Sequence, residues 1–326
     1  MESFPDTIQL AGLSISKIKS LIDSDCADTA DEKIIELLMA DNRVGVQALA
    51  RKLENRNIRK QNLLRKLEDM LKLENKIQAE GMKTLAGVDE AGRGPLAGPV
   101  VSASVILPEN PELSGLDDSK KMTPKSREEM YARITKSAVA WGIGMSENDE
   151  IDEIGILEAT MKSMRRAVKN MGKTPDIVLI DGNKTPGLDC KERAVVGGDS
   201  ISLSIAAASV IAKVTRDRIM IEMDRVFPGY GFAQHKGYGA SSHSDALSKL
   251  GPCDIHRFSF RLVPSCSPPG TCSVILKKRL KNAPTIKMLE RAATGIARVK
   301  GSLHKSDIEE LRKMYKVCKK RFGGTA

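Results

Sequence analysis

Two adjacent carboxylates, Asp89 and Glu90, begin the segment of this sequence whose residue types are best suited to chemistry. They follow a short apolar run, residues 85–88, and lead into a Gly-Arg-Gly turn, residues 92–94. A pair of carboxylates at the end of a strand offers the oxygen ligands that hard divalent cations prefer. Because glycine has no side chain, the backbone amides of such a turn can approach a ligand closely, beside the fixed positive charge of Arg93. The segment therefore suggests a divalent metal ion that meets a phosphodiester.

Two further acids stand in similar contexts. Asp181 ends the apolar run of residues 177–180, and Asp199 follows two glycines and precedes an apolar, helix-like stretch. Acids at strand ends and at a helix start can converge on one edge of a parallel-type sheet, where ligands usually bind. Four oxygen donors without a neighbouring Cys or His favour Mg²⁺ or Mn²⁺ over Zn²⁺. Each acid taken singly has a plainer role, the capping of a turn; the four contexts together favour the metal site.

Bulk composition is that of a globular protein, with 41% hydrophobic and 29% charged residues in 326. No segment approaches the roughly 20 apolar residues that span a bilayer, so we expect no membrane association. The N-terminus has neither the basic region nor the apolar region of a secretory signal, and we therefore expect a cytoplasmic protein. Six cysteines are scattered without a CxxC pair, which favours buried or idle thiols over disulfides or a zinc site.

The first part of the chain, residues 1–80, predicts helices and no strands. Leu63, Leu67 and Leu71 recur every four residues, which is the spacing of one helix face. Residues 43–66 include eight basic residues and one acid. A solvated helical face and a phosphate-contacting arm both account for this charge, and the sequence leaves the two interpretations open.

The second part, residues 84–263, predicts a single α/β domain. Strands are expected at four apolar runs, residues 85–88, 100–107, 139–143 and 177–180. Apolar residues at the spacing i, i+4, i+7 and i+11 predict an amphipathic helix that carries Leu157, Met161, Met164 and Val168. Residues 200–226 begin apolar and end charged, as a helix would that starts buried and emerges at the surface.

The third part, residues 264–326, contains most of the net charge of +10. It has 15 Lys and Arg against 4 Asp and Glu, whereas the rest of the chain has 37 against 38. A Ser-Pro-Pro-Gly run, residues 267–270, is typical of a linker, and Ser306 with Glu309 forms the capping-box pattern of one helix. We expect a basic, partly helical tail that contacts polyanions, with a purely solubilising role as the alternative.

Several long blocks of the sequence resemble a known family, bacterial ribonuclease HII. The resemblance covers about residues 84–263 and rests on five blocks that occur in the family in the same order: DEAGRGPLAGPVVSASVILP, DDSKKMTPKSREEM, IDGN, VVGGDSISLSIAAASVIAKVTRDRIM and HKGYGASSHSDALSKLGPCDIHRFSF. The stretch RVGVQALA, residues 43–50, is similar to the helical extension of some Gram-positive members. A ribonuclease HII implies an α/β, RNase H-like fold, a mixed sheet flanked by helices, here with an N-terminal helical extension and a basic C-terminal tail.

The resemblance also implies a chemistry. Carried over by motif, the four catalytic and metal-binding carboxylates are Asp89, Glu90, Asp181 and Asp199. The implied reaction is hydrolysis of a phosphodiester with two Mg²⁺ or Mn²⁺ ions, one for the attacking water and one for the leaving 3′-oxygen. The products would carry 3′-hydroxyl and 5′-phosphate ends.

The substrate contacts implied by the resemblance are Gly92, Arg93, Gly94, Lys120, Lys213 and Tyr238. The Gly-Arg-Gly turn would surround the ribose 2′-hydroxyl, the group that distinguishes RNA from DNA. Tyr238 would stack on the sugar that follows the ribonucleotide, although a half-buried aromatic is the plainer interpretation. Lys120 is a candidate phosphate contact and Lys213 a weaker one. Gly155 and Ala240 depart from the family pattern, where Asn and Thr are usual, which concerns local packing or substrate grip.

We therefore expect an endoribonuclease that cleaves the RNA strand of RNA–DNA hybrids and nicks duplex DNA 5′ of embedded ribonucleotides. Its partners are expected to be these nucleic acids, and the protein is expected to be a monomer. One alternative is a ribonuclease HIII, in which we expect a GTG-like turn, so that Arg93 argues against it. The other is a catalytically silent hybrid-binding protein, which the presence of all four acids disfavours.

Overall fold

The structure is a computed structural model that describes residues 12–25, 32–303 and 305–323. The chain divides into two compact units, Met1–Asp69 and Met70–Ala326. Within the described ranges, no helix is both long enough and apolar enough to cross a membrane. The described cysteines are free thiols, and Cys26 lies outside the described residues.

The first unit is helical, as predicted for the N-terminal extension. It contains α1 (Ile15–Asp25), α2 (Glu32–Met39) and the first part of α3 (Val44–Ala79). A small apolar core holds these helices together, built from Ile18, Ile22, Ile35, Leu38, Val46, Ala50 and Leu53. Arg43 has a structural role, since its guanidinium donates to the carboxylate of Asp41 at 2.6 Å and to the carbonyl oxygen of Leu13 at 2.6 Å.

The second unit is built on a five-stranded mixed sheet. Its strands are β1 (Leu85–Ala91), β2 (Val100–Ile106), β3 (Ala140–Ser146), β4 (Ile177–Asp181) and β5 (Lys191–Val195). Their order is β3-β2-β1-β4-β5, with β1 antiparallel to β2 and parallel to β4. The four predicted strands are present and differ from the predicted bounds by at most three residues. β5 was not predicted, because its charged residues lie along an exposed edge of the sheet.

Helices cover both faces of this sheet, which confirms the predicted fold class. Ala86 and Val88 of β1 pack against Met161 and Met164 of α6 (Ile156–Asn170) on one face. The odd-numbered residues point the other way, toward α8 (Leu203–Val226). There α8 comes so close that a Cβ on Gly87 would lie 2.1 Å from the backbone carbon of Ser204. Asp89, two residues further along β1, shares this face.

Shorter helices complete the central body: α4 (Pro124–Ser137), α5 (Asn148–Ile154), α7 (Gly198–Ile201), α9 (Phe232–His235), α10 (Ser241–Leu250) and α11 (Leu262–Cys266). The helix predicted over residues 200–226 is thus divided at Ser202 into α7 and α8. Ala240 precedes α10 and gives its first turn no side-chain cap, so this departure from the family pattern weakens a helix start.

The C-terminal region is more ordered than the predicted tail. It forms α12 (Thr271–Lys281), α13 (Ile286–Val299), a 3-10 turn (Lys300–Ser302) and α14 (Lys305–Lys320). Ser306 lies inside the first turn of α14 and not before it. The apolar sides of these helices share one core with Leu96, Leu247, Phe258 and Val263 of the central body.

Part of the C-terminal positive charge is neutralised inside the molecule. The guanidinium of Arg279 lies 3.1 Å from the carboxylate of Asp152, and that of Arg291 lies 2.7 Å from the carboxylate of Glu150, both on α5. Gly155 follows α5 with φ +85°, and a Cβ there would lie 3.1 Å from the guanidinium of Arg298 on α13. The glycine at this position therefore suits the close approach of α13.

Candidate active site

Asp89 and Asp181 lie side by side because of the strand register. The parallel pairing of β1 and β4 places Val88 opposite Ile180, so the next residue on each strand is one of these two acids. Asp89 is only 5% exposed, and its side chain accepts a hydrogen bond from Ser209 of α8. Glu90 follows Asp89 at the same end of β1.

Asp199 reaches the same place through a short connection. The amide of Gly198 donates to Oδ1 of Asp181 at 2.7 Å, and Asp199 is the next residue, in the first turn of α7. Gly197 before it has a left-handed backbone with φ +66°, which glycine adopts without strain. The two glycines that precede Asp199 are therefore the means by which its side chain is brought to β4.

The electrostatics show that the four acids act on one another. Burial raises the pKa of Asp89 well above its usual value, and Glu90 and Asp181 raise it further. Burial also raises the pKa of Glu90, although Arg93 opposes the rise. For Asp181, burial raises the pKa, the Gly198 amide opposes this, and Asp199 adds to it. Carboxylates that repel one another in this way favour a bound cation.

This donor set fits a hard divalent ion, since it consists of carboxylate oxygens. The cations beside it, Arg93 at 3.3 Å from Glu90 and Lys120 at 3.5 Å from Asp199, compensate only part of its charge. Among the residues that the structure describes, however, no three His, Cys, Asp or Glu side chains are already arranged around a common metal position. The acids thus converge on one site without forming a coordination sphere, and metal binding stays a proposal.

Lys120 lies at the rim of the acidic site. Its ammonium is 3.5 Å from Oδ2 of Asp199, and its side chain is largely exposed. Although desolvation lowers the pKa of Lys120, the carboxylates of Asp199, Asp118 and Asp89 outweigh it and raise that pKa. The loop that carries Lys120 is attached to α8 by a hydrogen bond, because the hydroxyls of Ser119 and Ser209 are 2.9 Å apart.

The Gly-Arg-Gly turn lies beside the acids and against Tyr238. Gly92 has φ +97°, and a Cβ there would lie 2.0 Å from Nε of Arg216, so only glycine fits. A Cβ on Gly94 would touch the ring of Tyr238 at 3.6 Å, and this ring is 46% exposed. Arg93 reaches back to Glu90, with 3.3 Å between Nη1 and Oε1. The structure therefore brings together the predicted turn and the predicted aromatic.

Two buried arginines, which were not predicted from the sequence, shape this turn. Arg257 donates to the carbonyl oxygens of Gly92 at 2.6 Å and Arg93 at 3.0 Å. Arg216 donates to the carbonyl oxygen of Pro99 at 3.0 Å. Burial lowers the pKa of Arg216 to about 10 and that of Arg257 to about 9, so both stay charged at neutral pH. No local signal was available, because Arg216 lies in the charged stretch that follows the apolar start of α8.

Comparison with known proteins gives two family matches. A family model described as Ribonuclease HII matches residues 86–263, and one described as Ribonuclease HII N-terminal domain matches residues 14–78. The chain belongs to the ribonuclease HII family. It is therefore a ribonuclease H, an endoribonuclease that acts on RNA–DNA hybrids.

Two relatives found by sequence agree with this assignment. Ribonuclease HII of Acetivibrio thermocellus is 44% identical over 251 residues, which cover 77% of this chain and 98% of the relative. Ribonuclease HII of Geobacter metallireducens is 53% identical over 188 residues, which cover 58% of this chain and 88% of the relative. Among solved structures, ribonuclease H2 from Pyrococcus horikoshii OT3 matches with a TM-score of 0.49 and 26% identity, covering 56% of this chain and 96% of that chain.

Lys213 is the predicted substrate contact that stands in a different environment. Its Nζ lies 2.7 Å from Oδ1 of Asp217, one turn further along α8. Burial lowers the pKa of Lys213, whereas Asp217 opposes this change. The ammonium of Lys213 is thus already paired with a carboxylate.

Two histidines, His243 and His256, form a hydrogen-bonded pair that contacts the backbone of Tyr238. No sequence pattern indicated that they meet. Nδ1 of His243 lies 2.9 Å from the carbonyl oxygen of Tyr238, and Nε2 of His243 lies 3.0 Å from Nε2 of His256. The amide of Cys253 donates to Nδ1 of His256 at 2.9 Å. A carbonyl oxygen only accepts hydrogen bonds, so Nδ1 of His243 carries the proton of that ring. Nδ1 of His256 accepts from the Cys253 amide, so the proton of His256 lies on Nε2 and is donated to His243. Both rings are neutral in this arrangement.

Proposed function

We propose that this protein hydrolyses its substrate with two divalent ions, Mg²⁺ or Mn²⁺, and that it nicks duplex DNA on the 5′ side of embedded ribonucleotides. It would also cleave the RNA strand of hybrids and would leave 5′-phosphate ends. The observation that carries the proposal is the acidic site, in which burial and mutual repulsion raise the pKa values of Asp89, Glu90 and Asp181 beside a turn fit for a ribose.

The four acids would hold the ions. Asp89 is the most buried of the four, at 5% exposed, and Glu90, Asp181 and Asp199 would complete the set of ligands. When bound, such ions activate a water and stabilise the leaving 3′-oxygen. The buried serine Ser209 donates to Asp89 and so orients its oxygens.

Recognition of the ribonucleotide would fall to the Gly-Arg-Gly turn. Arg257 binds the carbonyl oxygens of Gly92 and Arg93, which leaves the other edge of the turn, with its amides, for a ligand. Arg93 is half exposed next to Glu90, so it can donate to a 2′-hydroxyl close to the ions. Tyr238, seated beside Gly94, would stack on the following sugar and favour a deoxyribose there.

Lys120 would contact a phosphate near the scissile bond, because its ammonium is exposed and lies at the edge of the acidic site. Lys213 would contribute less, since its ammonium is engaged by Asp217. For the setting of the protein we propose a cytoplasmic monomer, and the free thiols of the described cysteines are consistent with a reducing compartment.

The test is cleavage of an end-labelled DNA duplex with one ribonucleotide, with mapping of the cut site and titration of Mg²⁺ and Mn²⁺. We expect one nick immediately 5′ of the ribonucleotide, dependent on the ion, and no cut in the all-DNA duplex. Asp199→Asn is the matched control, expected to bind the duplex but to lose most of the cleavage rate, because an amide is a poorer ligand for the ion than a carboxylate. Cleavage of long hybrids without any cut at the single ribonucleotide would instead favour a ribonuclease HIII-like activity.

A further inference from the structure

The end of helix α3 belongs to the second unit, which contains the acidic site. The family model that matches the catalytic part of the chain begins only after this helix, at residue 86. Residues from Met70 onward fall in the second unit. Ile77 of α3 is buried in one apolar cluster with Leu85, Leu179 and Ile205, which come from β1, β4 and α8. This stretch of α3 therefore packs directly on the elements that carry the acids.

Glu74, one turn before Ile77, places a carboxylate inside this interface. It is only 6% exposed. Its Oε1 accepts hydrogen bonds from the hydroxyl of Ser202 at 2.7 Å, from the hydroxyl of Ser204 at 2.9 Å and from the amide of Ser204 at 3.1 Å. Oε2 is buried and has no hydrogen-bond partner among the described residues. A carboxylate at the start of the 24-residue helix α8 is favoured by the helix dipole.

The serines that Glu74 holds are joined to the acidic site by short backbone hydrogen bonds. The amide of Ser202 donates to the carbonyl oxygen of Gly198 at 2.9 Å, which closes the turn that contains Asp199. The amide of the same Gly198 donates to Asp181. Glu74 is thus linked to two of the four acids through Ser202 and Gly198.

The second serine leads to a third acid. The backbone of Ser204 rests on Gly87, where no Cβ could be accommodated. Asp89 lies two residues further along β1 on the same face of the sheet. A shift of the segment 202–204 would consequently move α8 against β1 and change the position of Asp89 relative to Asp181.

We propose that Glu74 is a positioning residue for the acidic site: by fixing Ser202 and Ser204, it sets the spacing of Asp89, Asp181 and Asp199. The inference rests on the proposed metal-dependent function of these acids. It assigns a role in the reaction to the extension helix. The carboxylate suits this role because it accepts only, and three donors from two serines converge on one of its oxygens.

The test compares Glu74→Leu and Glu74→Gln with the wild type in the full-length protein. Leucine is similar in size but removes the oxygen that accepts from all three donors, whereas glutamine keeps one acceptor oxygen and loses the charge. Mn²⁺ binding is measured by calorimetry in the absence of substrate, and cleavage of a hybrid is measured as a function of Mn²⁺. We expect about 10-fold weaker Mn²⁺ binding for the leucine variant, as for the loss of an outer-sphere partner, and about 3-fold for the glutamine variant.

Met70→Ala is the matched control, because Met70 is buried on the same helix one turn before Glu74. It should lower the Tm and leave the Mn²⁺ affinity at the wild-type value. Wild-type Mn²⁺ affinity in both Glu74 variants would overturn the inference and leave Glu74 a purely structural residue. If the leucine variant does not fold, the glutamine variant decides by the same criterion. A wild-type protein that neither binds Mn²⁺ nor cleaves would overturn the proposed function itself.

Discussion

At Asp89, burial and the charges of Glu90 and Asp181 all act on the same carboxyl group. Its pKa is raised, so the folded protein without metal holds this proton more tightly than the unfolded chain does. Stability from a raised pKa is present at low pH and is lost as the pH rises through the folded-state value. The acidic site therefore destabilises the metal-free protein near neutral pH.

Asp89→Asn is expected to remove this penalty. We predict that the variant without metal has a Tm at neutral pH equal to or above that of the wild type, although cleavage is lost.

We also predict that Mn²⁺ raises the wild-type Tm more at pH 8 than at pH 5, because protons compete with the ion at low pH. Thermal unfolding with and without Mn²⁺ measures both effects. A lower Tm of the metal-free variant would show that the Asp89 carboxylate is stabilising, contrary to this prediction.

Arg93 is the residue on which selectivity for a single ribonucleotide is expected to depend. Arg93→Ala should reduce cleavage at one embedded ribonucleotide, and this loss should exceed the loss on a long hybrid by about 10-fold or more. The reason is that a hydrogen bond to a charged group contributes about 1.5–3 kcal/mol. On a long hybrid, the 2′-hydroxyls of neighbouring ribonucleotides would offer further contacts that do not depend on Arg93. The measurement is kcat/KM on both substrates, with Arg93→Lys as the charge-preserving control. Equal losses on the two substrates would rule out a role in reading the 2′-hydroxyl.

Among the elements, the connection from α9 to α11 carries the buried histidine pair behind Tyr238. Burial lowers the pKa of His256 to about 3 and also lowers that of His243. At pH values between the usual histidine pKa of about 6.5 and this folded-state pKa, these histidines bind protons in the unfolded chain but not in the folded protein. The contribution of the pair to stability is therefore present above a pH of about 6.5 and is lost as the pH falls.

We predict that unfolding by urea detects this loss. Between pH 7 and pH 5 the wild type should lose up to about 1.4 kcal/mol per pH unit for each histidine. The raised pKa values of the acidic site contribute to the same measurement with the opposite sign, so the informative quantity is the difference from His256→Gln, which lacks the titrating ring. If the stability of both proteins changes equally between these pH values, His256 is not held neutral in the fold.

The elements with a local apolar pattern could be predicted from the sequence, whereas features that depend on long-range contacts could not. β1 to β4 are apolar runs, and their ends carry the acids in recognisable positions. β5 begins with three consecutive charged residues at an edge of the sheet. α12 and α13 lie in a region whose basic composition obscures its apolar face. The partners of Glu74, Arg216 and Arg257 are 100 or more residues away in the sequence, and no local pattern indicates such pairings.

On the scale of the whole molecule, the basic C-terminal region is part of the fold and also a candidate surface for nucleic acid. Its deletion would expose the apolar core shared with Leu96 and Phe258, so loss of binding after truncation would not distinguish the two roles. The exposed side of α14 offers a cleaner test, because from residue 312 to the end of the helix it carries the exposed basic residues Arg312, Lys313, Lys316 and Lys320.

We predict that replacing Lys313, Lys316 and Lys320 by Glu weakens duplex binding and flattens its dependence on salt. The logarithmic slope should fall by about 0.9 for each phosphate that the protein no longer neutralises. The Tm should stay close to the wild-type value, because these side chains are exposed. The corresponding Lys→Arg variant preserves charge and serves as the control. An unchanged salt slope would leave this face as a solubilising surface.

The central claim is that Asp89, Glu90, Asp181 and Asp199 together hold divalent ions at one scissile phosphodiester. Its most direct test is calorimetric titration of Mn²⁺ into the protein bound to a hybrid that it cannot cleave, for the wild type and for Asp181→Asn. We predict two ions per chain in the wild type, with at least one absent or strongly weakened in the variant. Identical titrations of the two proteins, or no Mn²⁺ bound to either, would contradict the claim.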